Sequence, residues 1–224
     1  MLTQSPRYIS RPRAWDLGSG SMKNNSVKYY DDNAESFFES TVNADMSGQY
    51  QAFLREVPKE GHILDFGCGT GRDSRYFLQQ GYKVTAIDGS QKMCKMASEY
   101  IGQTVIHMLF TEMDYSEEFD GIWACASLLH VGKNEMSDVI RKLYQALKLN
   151  GILYVSYKYG LEESEREGRL FSNYTEDALA VLFSQEDGWK IRDWFVTGDV
   201  RVGRGEEKWL NVLVKKSASC LMKR

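Results

Sequence analysis

Three glycines alternate in the stretch ILDFGCGTGRDS, and they are Gly67, Gly69 and Gly71. An acid, Asp65, precedes them, and a cation, Arg72, follows directly. Glycine at this density lets the backbone approach a ligand closely, at a cost in conformational entropy. A second acid, Asp88, ends the next apolar run, near the ~20-residue offset at which ribose-binding acids follow a glycine loop. The spacing therefore predicts a bound nucleoside.

The glycines do not form either of the common phosphate-binding patterns. The P-loop pattern needs Gly-Lys-Ser/Thr, which the sequence lacks. The dinucleotide pattern G-x-G-x-x-G needs a third glycine where Arg72 stands or, counted from Gly69, where Ser74 stands. Asp65 would also add negative charge close to a bound pyrophosphate. A nicotinamide dinucleotide is therefore the weaker interpretation.

A cationic ligand explains the acid before the loop. S-adenosylmethionine carries an ammonium, a carboxylate and a sulfonium, and glycines would let the backbone approach its methionine portion. Asp65 would organise or receive the amino group, and Arg72 suits the carboxylate. Asp88, at the end of a strand, would accept both ribose hydroxyls.

The elements that must position these residues alternate between strands and helices. The predicted strands are 62–66, 82–88, 104–110, 119–126 and 152–159, followed by a hairpin of 189–198 and 208–216. Helices are predicted after the glycine loop, after a Ser90 cap, over the stripe that begins at Met136 and ends at Asn150-Gly151, and over 175–185. One or two further helices precede Pro58. The predicted fold class is α/β: a doubly wound, mostly parallel seven-stranded sheet with helices on both faces and an antiparallel C-terminal hairpin.

Four stretches in order resemble the class I S-adenosylmethionine-dependent methyltransferases. ILDFGCGTGRDS is similar to their motif I, and VTAIDGS to the acidic motif after their second strand. EEFDGIWACASLLHV resembles their fourth-strand motif, and ALKLNGILYVS resembles the segment that enters strand five. The resemblance covers about Tyr29 to Lys215. It implies a Rossmann-like methyltransferase fold, S-adenosyl-L-methionine as cofactor, S-adenosyl-L-homocysteine as product, and no metal.

The opening YYDDNAESFF resembles the small-molecule branch, such as the tellurite-resistance and ubiquinone-biosynthesis types. There the resemblance implies that Tyr29 or Tyr30 caps the methionine end of the cofactor. Asn150-Gly151 departs from the usual Pro-Gly-Gly, which affects a turn. Nucleobase methylation is disfavoured, because its [DNS]-P-P-[YFW] and Pro-Cys motifs need prolines and the chain has only Pro6, Pro12 and Pro58.

The predicted cofactor-binding residues come from the loop, the second strand and the ends of strands three and four. They are Tyr29, Tyr30, Asp65, Gly67, Cys68, Gly69, Arg72, Asp88, Gly89, Ser90, Met93, Glu112, Met113, Cys125 and Ala126. Within this set Cys68 is interpreted as a small packing residue and not as a nucleophile. Met93 either packs on adenine or belongs to the core, and Glu112 or Asp114 would accept from the adenine amine.

The predicted acceptor side follows strands four and five. His130 is the candidate catalytic residue; it either deprotonates the nucleophile or only lines the pocket. The candidate substrate residues are Tyr157, Lys158, Phe171, Tyr174, Arg201 and Arg204. The charged segment 158–174 is predicted as a loop that forms either a substrate lid or a solvated surface. Arg201 and Arg204 either bind an anionic substrate or pair with Asp199, Glu206 and Glu207.

Composition limits the remaining choices. The 224 residues suit one sizeable domain, the net charge of -3 does not indicate a general nucleic-acid binder, and no apolar run approaches membrane length. Four cysteines without CxxC spacing predict free thiols and no zinc site. Residues 1–21 are predicted as an expression tag or linker, or else a natural disordered arm. The methyltransferase domain is expected over 22–217, with a helical cap over 22–58, and 218–224 is expected to be a tail.

The sequence thus predicts a cytoplasmic enzyme that methylates a small molecule by in-line displacement, as a monomer or homodimer. Neither nucleic acid nor membrane is expected as a partner. The alternatives are a non-catalytic module that binds the cofactor and regulates a partner, or a methyltransferase acting on RNA or protein. An NAD-dependent oxidoreductase ranks below these.

Overall fold

The computed structural model describes residues 20–201 and 203–218, with side chains from residue 25 onward. Most of the predicted N-terminal tag, and the tail beyond residue 218, lie outside the described residues. Strands alternate with helices along most of the chain. The strands are β1 His62–Phe66, β2 Lys83–Asp88, β3 Ile106–His107, β4 Phe119–Ala124, β5 Leu147–Lys158, β6 Glu163–Arg166, β7 Arg169–Ser172, β8 Trp189–Gly198 and β9 Lys208–Lys216.

Seven helices accompany the strands in the described part of the chain. They are α1 Gly20–Asp32, α2 Ala34–Thr41, α3 Ser47–Leu54, α4 Arg72–Gln79, α5 Gln91–Ile101, α6 Lys133–Ala146 and α7 Glu176–Ser184. Ser90 caps α5 as predicted, because its hydroxyl accepts a hydrogen bond from the Met93 amide at 3.1 Å. A short 3-10 turn, Leu128–His130, follows β4.

The main sheet has the order β3-β2-β1-β4-β5-β9-β8. The first five strands of this order pair in parallel, whereas β9 is antiparallel to both β5 and β8. The predicted fold class and the C-terminal hairpin are therefore confirmed. The strand order reverses between β1 and β4, so a ligand crevice opens beyond their carboxyl ends. The glycine loop begins there.

Alternate residues of the strands supply two hydrophobic layers. Leu64 and Phe66 of β1 join the layer that includes the apolar faces of α6 and α7. Ile63, one residue out of phase, joins the opposite layer with α3, α4 and α5. In that second layer Trp123 stacks on Tyr154 with ring centroids 3.9 Å apart. Both faces of the sheet are thus covered, as a parallel sheet requires.

The connection from α6 to β5 differs from the prediction. The helix ends at Ala146, not at Asn150-Gly151, and β5 begins at Leu147, five residues before the predicted start at residue 152. The pairing with β4 shifts register between Phe119 and Gly121, and Asn150 has a φ of 69°. Asn150-Gly151 therefore lies in an irregular part of a long strand, because the left-handed residue that was expected to end a helix accommodates a bulge.

Two other segments also differ. The third strand covers only residues 106–107 of the predicted 104–110, because the chain turns at Leu109, whose amide donates to the Glu112 carboxylate at 2.8 Å. The charged segment 158–174 is not a loop throughout: it contains the antiparallel pair β6–β7. Its two-residue turn, Glu167-Gly168, has positive φ at both positions, 54° and 75°, which suits a tight hairpin.

Helix α1 lies over the carboxyl end of the sheet. Asp31 accepts from the Ser90 hydroxyl at 2.6 Å and from the Lys92 amide at 3.1 Å, which joins α1 to the start of α5. Ser26 accepts from the Leu170 amide at 3.1 Å, which joins it to β7. The helix therefore spans the crevice and is fixed at both sides.

Two glycine substitutions test this packing. A Cβ at Gly121 would lie 2.7 Å from Phe53 Cζ and 2.9 Å from Val57 Cγ2, so we expect Gly121→Ala to lower the free energy of unfolding by about 1–3 kcal/mol. Gly48 lies in helix α3, and a Cβ added there would have no atom within 4 Å, so Gly48→Ala should raise it by about 0.5–1 kcal/mol. Urea denaturation of both variants measures the difference, and equal stabilities would contradict the described packing of α3 on β4.

Candidate cofactor and acceptor site

The loop after β1 depends on its glycines. Gly67 and Gly71 have φ values of 80° and 77°, in the left-handed region that favours glycine. A Cβ at Gly67 would lie 2.6 Å from Ser127 Cβ, so a side chain there would collide with the end of β4. The amides of Gly67 and Cys68 both donate to the Ile87 carbonyl, at 3.0 and 2.9 Å, which ties the loop to β2.

Asp88 completes this connection from the end of β2. Its two carboxylate oxygens accept hydrogen bonds from the amides of Gly69 and Ser90, each at 2.8 Å. Burial raises the pKa of Asp88, while those two amide bonds act in the opposite direction. The carboxylate lines a cavity and has further lone pairs for hydroxyl donors. Its placement suits the predicted contact with ribose.

Asp65 lies behind the loop and does not line the cavity. It is buried and accepts from the Ser74 hydroxyl at 2.6 Å. Burial, and then the nearby Asp73 carboxylate, raise the pKa of Asp65 well above its usual range. An effect of Asp65 on a cofactor amino group therefore has to pass through the loop, and its predicted role stays a prediction.

Arg72 and Asp73 form a buried pair at the first turn of α4. Arg72 Nε and Nη2 donate to the two Asp73 oxygens at 2.6 and 3.0 Å, and the same carboxylate accepts from Trp123 Nε1 at 2.8 Å and from the Tyr50 hydroxyl. Burial would raise the pKa of Asp73, but Arg72 and these hydrogen bonds lower it. Arg72 reaches the cavity with its charge already paired, so binding of the cofactor carboxylate by Arg72 stays a prediction.

One cavity of about 610 Å³ runs from the glycine loop to the β6–β7 hairpin and the start of β9. This volume lies in the range of ~300–1,000 Å³ typical of small-molecule sites. Most of the predicted site residues line it: Tyr30, Gly67, Cys68, Gly69, Arg72, Asp88, Gly89, Ser90, Met93, Cys125, Ala126, His130, Lys158, Phe171, Arg201 and Arg204.

Six predicted site residues do not line the cavity. Besides Asp65, they are Tyr29, Glu112, Met113, Tyr157 and Tyr174. Met113 and Tyr157 are fully buried in the core, and Tyr174 packs against Tyr157 at 4.7 Å. Glu112 holds the turn after β3, and Tyr29 stacks under Arg169. At the end of a strand, some side chains point toward the cavity and others point away from it. The side chains of these six residues face the core or a neighbouring side chain.

The opposite half of the cavity contains a hydrogen-bonded series through His130. His130 Nδ1 lies 2.6 Å from the Leu170 carbonyl, which only accepts, so Nδ1 carries the proton and Nε2 accepts from the Tyr30 hydroxyl at 2.7 Å. Burial lowers the pKa of His130 to about 4 and raises the pKa of Tyr30 to about 12. Both groups are therefore neutral near pH 7.

Most of the charged residues in this half are paired. Arg201 donates to both oxygens of the buried Asp199, and Lys158 Nζ lies 2.6 Å from Glu207. Arg204 lies 3.9 Å from the same Glu207. Of the two interpretations of Arg201 and Arg204 that the sequence left open, these contacts fit pairing with neighbouring acids.

Sequence reasoning missed Phe110, Arg169 and Trp209, which line the cavity. Phe110 stacks on Phe66 at 4.3 Å beside the glycine loop, Arg169 begins β7, and Trp209 begins the pairing of β9 with β5. Gly168 was the available signal for Arg169, since it marks a hairpin turn. No sequence signal indicated that Phe110 faces the cavity, because Phe110 was predicted to be the last residue of the third strand.

The remaining groups that could be reactive are the cysteine thiols and the potential metal ligands. Burial raises the pKa of the Cys68 thiol, which agrees with its interpretation as a packing residue. Across residues 25–201 and 203–218, no group of three or more His, Cys, Asp and Glu side chains is arranged to hold a metal ion. No helix in the described part of the chain is long and apolar enough to cross a membrane.

S-adenosylmethionine fits the loop half of this cavity on two observations. Gly69 lines the cavity, and a Cβ added there would meet only Phe37, at a van der Waals distance of 3.7 Å, so no other side chain fills the space beside the loop backbone. Ser127, three residues after β4, lines the cavity, and its buried hydroxyl has no hydrogen-bond partner in the described structure. An unpaired buried hydroxyl beside a glycine loop is expected to bond a polar ligand.

Asp88 provides a direct test of this site. We expect Asp88→Ala to weaken binding of S-adenosylhomocysteine by about 10- to 100-fold, because hydrogen bonds to a charged group are lost. Asp88→Asn should lose less, since it keeps an oxygen acceptor for the loop amide. Calorimetry measures both, with Asp193→Ala on the exposed face of β8 as the control. Unchanged affinity in folded Asp88→Ala would remove Asp88 from the site.

Comparisons with known proteins agree with this geometry. Residues 63–151 match the family described as "Methyltransferase domain". The protein YqeM of Bacillus subtilis, which is named as a methyltransferase, is 31% identical over 105 residues. These residues are 43% of this chain and 42% of that protein. An uncharacterized methyltransferase of Staphylococcus carnosus is 26% identical over 195 residues, 80% of this chain and 94% of that protein. The chain thus spans less than half of the first relative and nearly all of the second.

Among solved structures, the fold is similar to the 1,6-didemethyltoxoflavin-N1-methyltransferase of Burkholderia thailandensis, which was determined with 1,6-didemethyltoxoflavin and S-adenosylhomocysteine bound. The TM-score is 0.72 at 19% sequence identity, over 96% of this chain and 94% of that one. The strand order, the glycine loop with its acid on β2, and the matches to methyltransferase sequences agree with one another. Together they support a class I S-adenosylmethionine-dependent methyltransferase, with the family match itself covering residues 63–151.

Proposed function

We propose that this protein transfers the methyl group of S-adenosylmethionine to a small-molecule acceptor bound in the same cavity. The observation that carries the proposal is the continuity of that cavity. It begins at Gly67 and Asp88, passes Ala126 and His130, and ends among Phe171, Arg201 and Trp209. Cofactor and acceptor would therefore meet near the carboxyl end of β4.

The roof over the cavity favours a small acceptor. Helix α1 is held to α5 through Asp31 and to β7 through Ser26, and Tyr30 bonds His130 beneath it. A protein or RNA acceptor would need an open approach to the methyl group. The Burkholderia neighbour, a 1,6-didemethyltoxoflavin-N1-methyltransferase with 1,6-didemethyltoxoflavin bound, supports the same choice by analogy of fold.

The chain would contribute mainly alignment. S-adenosylmethionine supplies a methyl group already activated on its sulfonium, so the protein has to hold the nucleophile, the methyl and the sulfur in line. Gly67 and Gly69 would let the loop backbone approach the methionine portion, and Asp88 would fix the ribose. Tyr30, from α1, would close the site against water.

For His130 we propose a positioning role, in place of the proton transfer considered from the sequence. A general base acts best with a pKa near the working pH, and the pKa of His130 is lowered to about 4. Its Nε2 lone pair already accepts from Tyr30. In this role it orients Tyr30 and, through it, α1. We also propose, as the sequence predicts, a cytoplasmic location and a monomer or homodimer.

Transfer of labelled methyl groups tests the proposed function. Protein incubated with methyl-labelled S-adenosylmethionine and a deproteinised cell extract should label a small molecule, whereas separate protein and RNA fractions should stay unlabelled. Asp88→Ala, which is expected to bind the cofactor more weakly, serves as the control with reduced transfer. Label in the protein or RNA fraction would contradict the small-molecule proposal, and label in none of them would favour a regulatory binding module.

The role of His130 is tested by its pH profile. His130→Phe keeps an aromatic ring beside Phe171 and removes both hydrogen bonds, so we expect kcat to fall about tenfold or less. Because the neutral form of His130 persists above about pH 4, wild type and variant should share one profile between about pH 6 and pH 9. Tyr30→Phe should cause a similar loss, and the double variant little more. A loss of ~10²–10⁴-fold with a changed profile would instead indicate a general base.

A further inference from the structure

Arg169 lines the half of the cavity beyond His130, the acceptor half of the proposed function, and carries an unpaired buried donor. Its guanidinium carbon lies 3.8 Å over the Tyr29 ring, and one Nη pairs at 2.7 Å with Glu167, an exposed acid in the hairpin turn. Its Nε is buried and has no hydrogen-bond partner in the described structure. A buried donor on a cation is costly to leave unpaired, so an acceptor atom is expected there when the site is filled.

The neighbouring cations differ in whether a nearby acid already pairs with them. Lys158 is paired with Glu207 and Arg201 with Asp199, whereas Arg166 has no ion pair among the described residues. Cationic side chains outnumber acidic ones on this wall. The cations are Lys158, Arg166, Arg169, Arg201 and Arg204, and the acids are Glu167, Asp199 and Glu207. The local field therefore favours an anion.

Aromatic rings stand beside these charges. Phe171 lies 5.2 Å from the Arg169 guanidinium, 5.1 Å from Lys158 Nζ and 5.2 Å from the His130 ring. Trp209 lies 6.0 Å from the same lysine. Flat rings next to a planar guanidinium fit a ligand that is itself planar and carries its charge in that plane.

We propose that the methyl acceptor is a small planar anion, with a carboxylate or similarly delocalised oxyanion bound by Arg169 and an aromatic or conjugated body against Phe171 and Trp209. This deepens the proposed function and rests on it. Tyr29 of α1 and Glu167 of the hairpin turn hold Arg169 from two sides, so its guanidinium is oriented before the acceptor arrives. Arg166, the strand partner of Arg169 across the turn, adds a second positive charge to the cavity wall.

The neutral state of His130 agrees with this acceptor class. A nucleophile that enters as an anion, or one whose proton is made acidic by conjugation, does not need a strong base from the protein. The Arg169 guanidinium is also one of the charges that disfavour protonation of His130, after burial itself. The same cation would therefore bind the acceptor and keep His130 neutral.

Anion-exchange fractionation separates this inference from the function on which it rests. A deproteinised cell extract is passed over an anion exchanger at neutral pH, and the retained and unretained fractions are each incubated with protein and methyl-labelled S-adenosylmethionine. We expect label in products made from the retained fraction. Label made only from the unretained fraction would overturn the anionic acceptor and leave methyl transfer intact. Label from neither would overturn both proposals.

Variants of Arg169 then assign the binding residue. With the retained fraction as acceptor, Arg169→Gln should raise the apparent KM about 10- to 100-fold, with a smaller change in kcat and no change in S-adenosylhomocysteine affinity. Arg169→Lys keeps the charge without the planar fork and should lie between. Arg141→Gln, which removes an exposed cation paired with Asp138 on α6, is the matched control.

Three results would overturn the assignment. They are an unchanged KM in folded Arg169→Gln, an equal rise in Arg141→Gln, or a parallel loss of S-adenosylhomocysteine affinity, which would place Arg169 in the cofactor half. Thermal melts of each variant confirm folding before the kinetics, and Arg169→Lys carries the test if Arg169→Gln does not fold.

Discussion

A single buried carboxylate, that of Asp73, fixes the geometry on which the cofactor half of the site depends. It accepts hydrogen bonds from Arg72, Tyr50 and Trp123, and so joins the start of α4 to α3 and to β4. A buried charge is tolerated only when it is paired and hydrogen-bonded, and removal of one partner of such a set is strongly destabilising. The glycine loop ends at this turn, so its path is set by Asp73 and by the amide bonds to Ile87 and Asp88 at its other end.

The other half of the cavity, where the acceptor is proposed to bind, depends on helix α1, which contacts three separate parts of the fold. Residues of α1 bond to the cap of α5, to the ring of His130 and to the backbone of β7. Each bond alone contributes about 1 kcal/mol, so the helix is held by their combination and by packing. Tyr29 and Tyr30, adjacent in sequence, serve separate neighbours: Tyr29 supports Arg169, and Tyr30 lines the cavity beside His130.

The sequence predicted the order of the elements because the strong signals were local. Short apolar runs, a glycine loop and a Ser90 cap each act within a few residues, and β1, β2, α5 and the β8–β9 pair lie where they were expected. The start of β5 was not predictable in this way, since Asn150-Gly151 is a helix-ending signal that here serves a bulge against β4. The β6–β7 hairpin was missed because its residues are charged and its stability comes from contact with α1 and the turn after β4.

The same distinction applies to the site. Gly67, Gly69 and Asp88 could be identified from spacing alone, because the backbone itself places them at the crevice. Which side chains of later segments face inward depends on tertiary packing, so Tyr157 and Met113 entered the core, while Arg169 and Trp209 reached the cavity. The pairing of Arg201 with Asp199 likewise needed coordinates.

The central claim is that the glycine loop and Asp88 bind S-adenosylmethionine and its product, and not a dinucleotide. Calorimetric titration of the purified protein with S-adenosylhomocysteine, and separately with NADH, tests it most directly. The account predicts one S-adenosylhomocysteine bound per chain with a dissociation constant on the order of micromolar, and no measurable heat with NADH. Binding of NADH without binding of S-adenosylhomocysteine would contradict it.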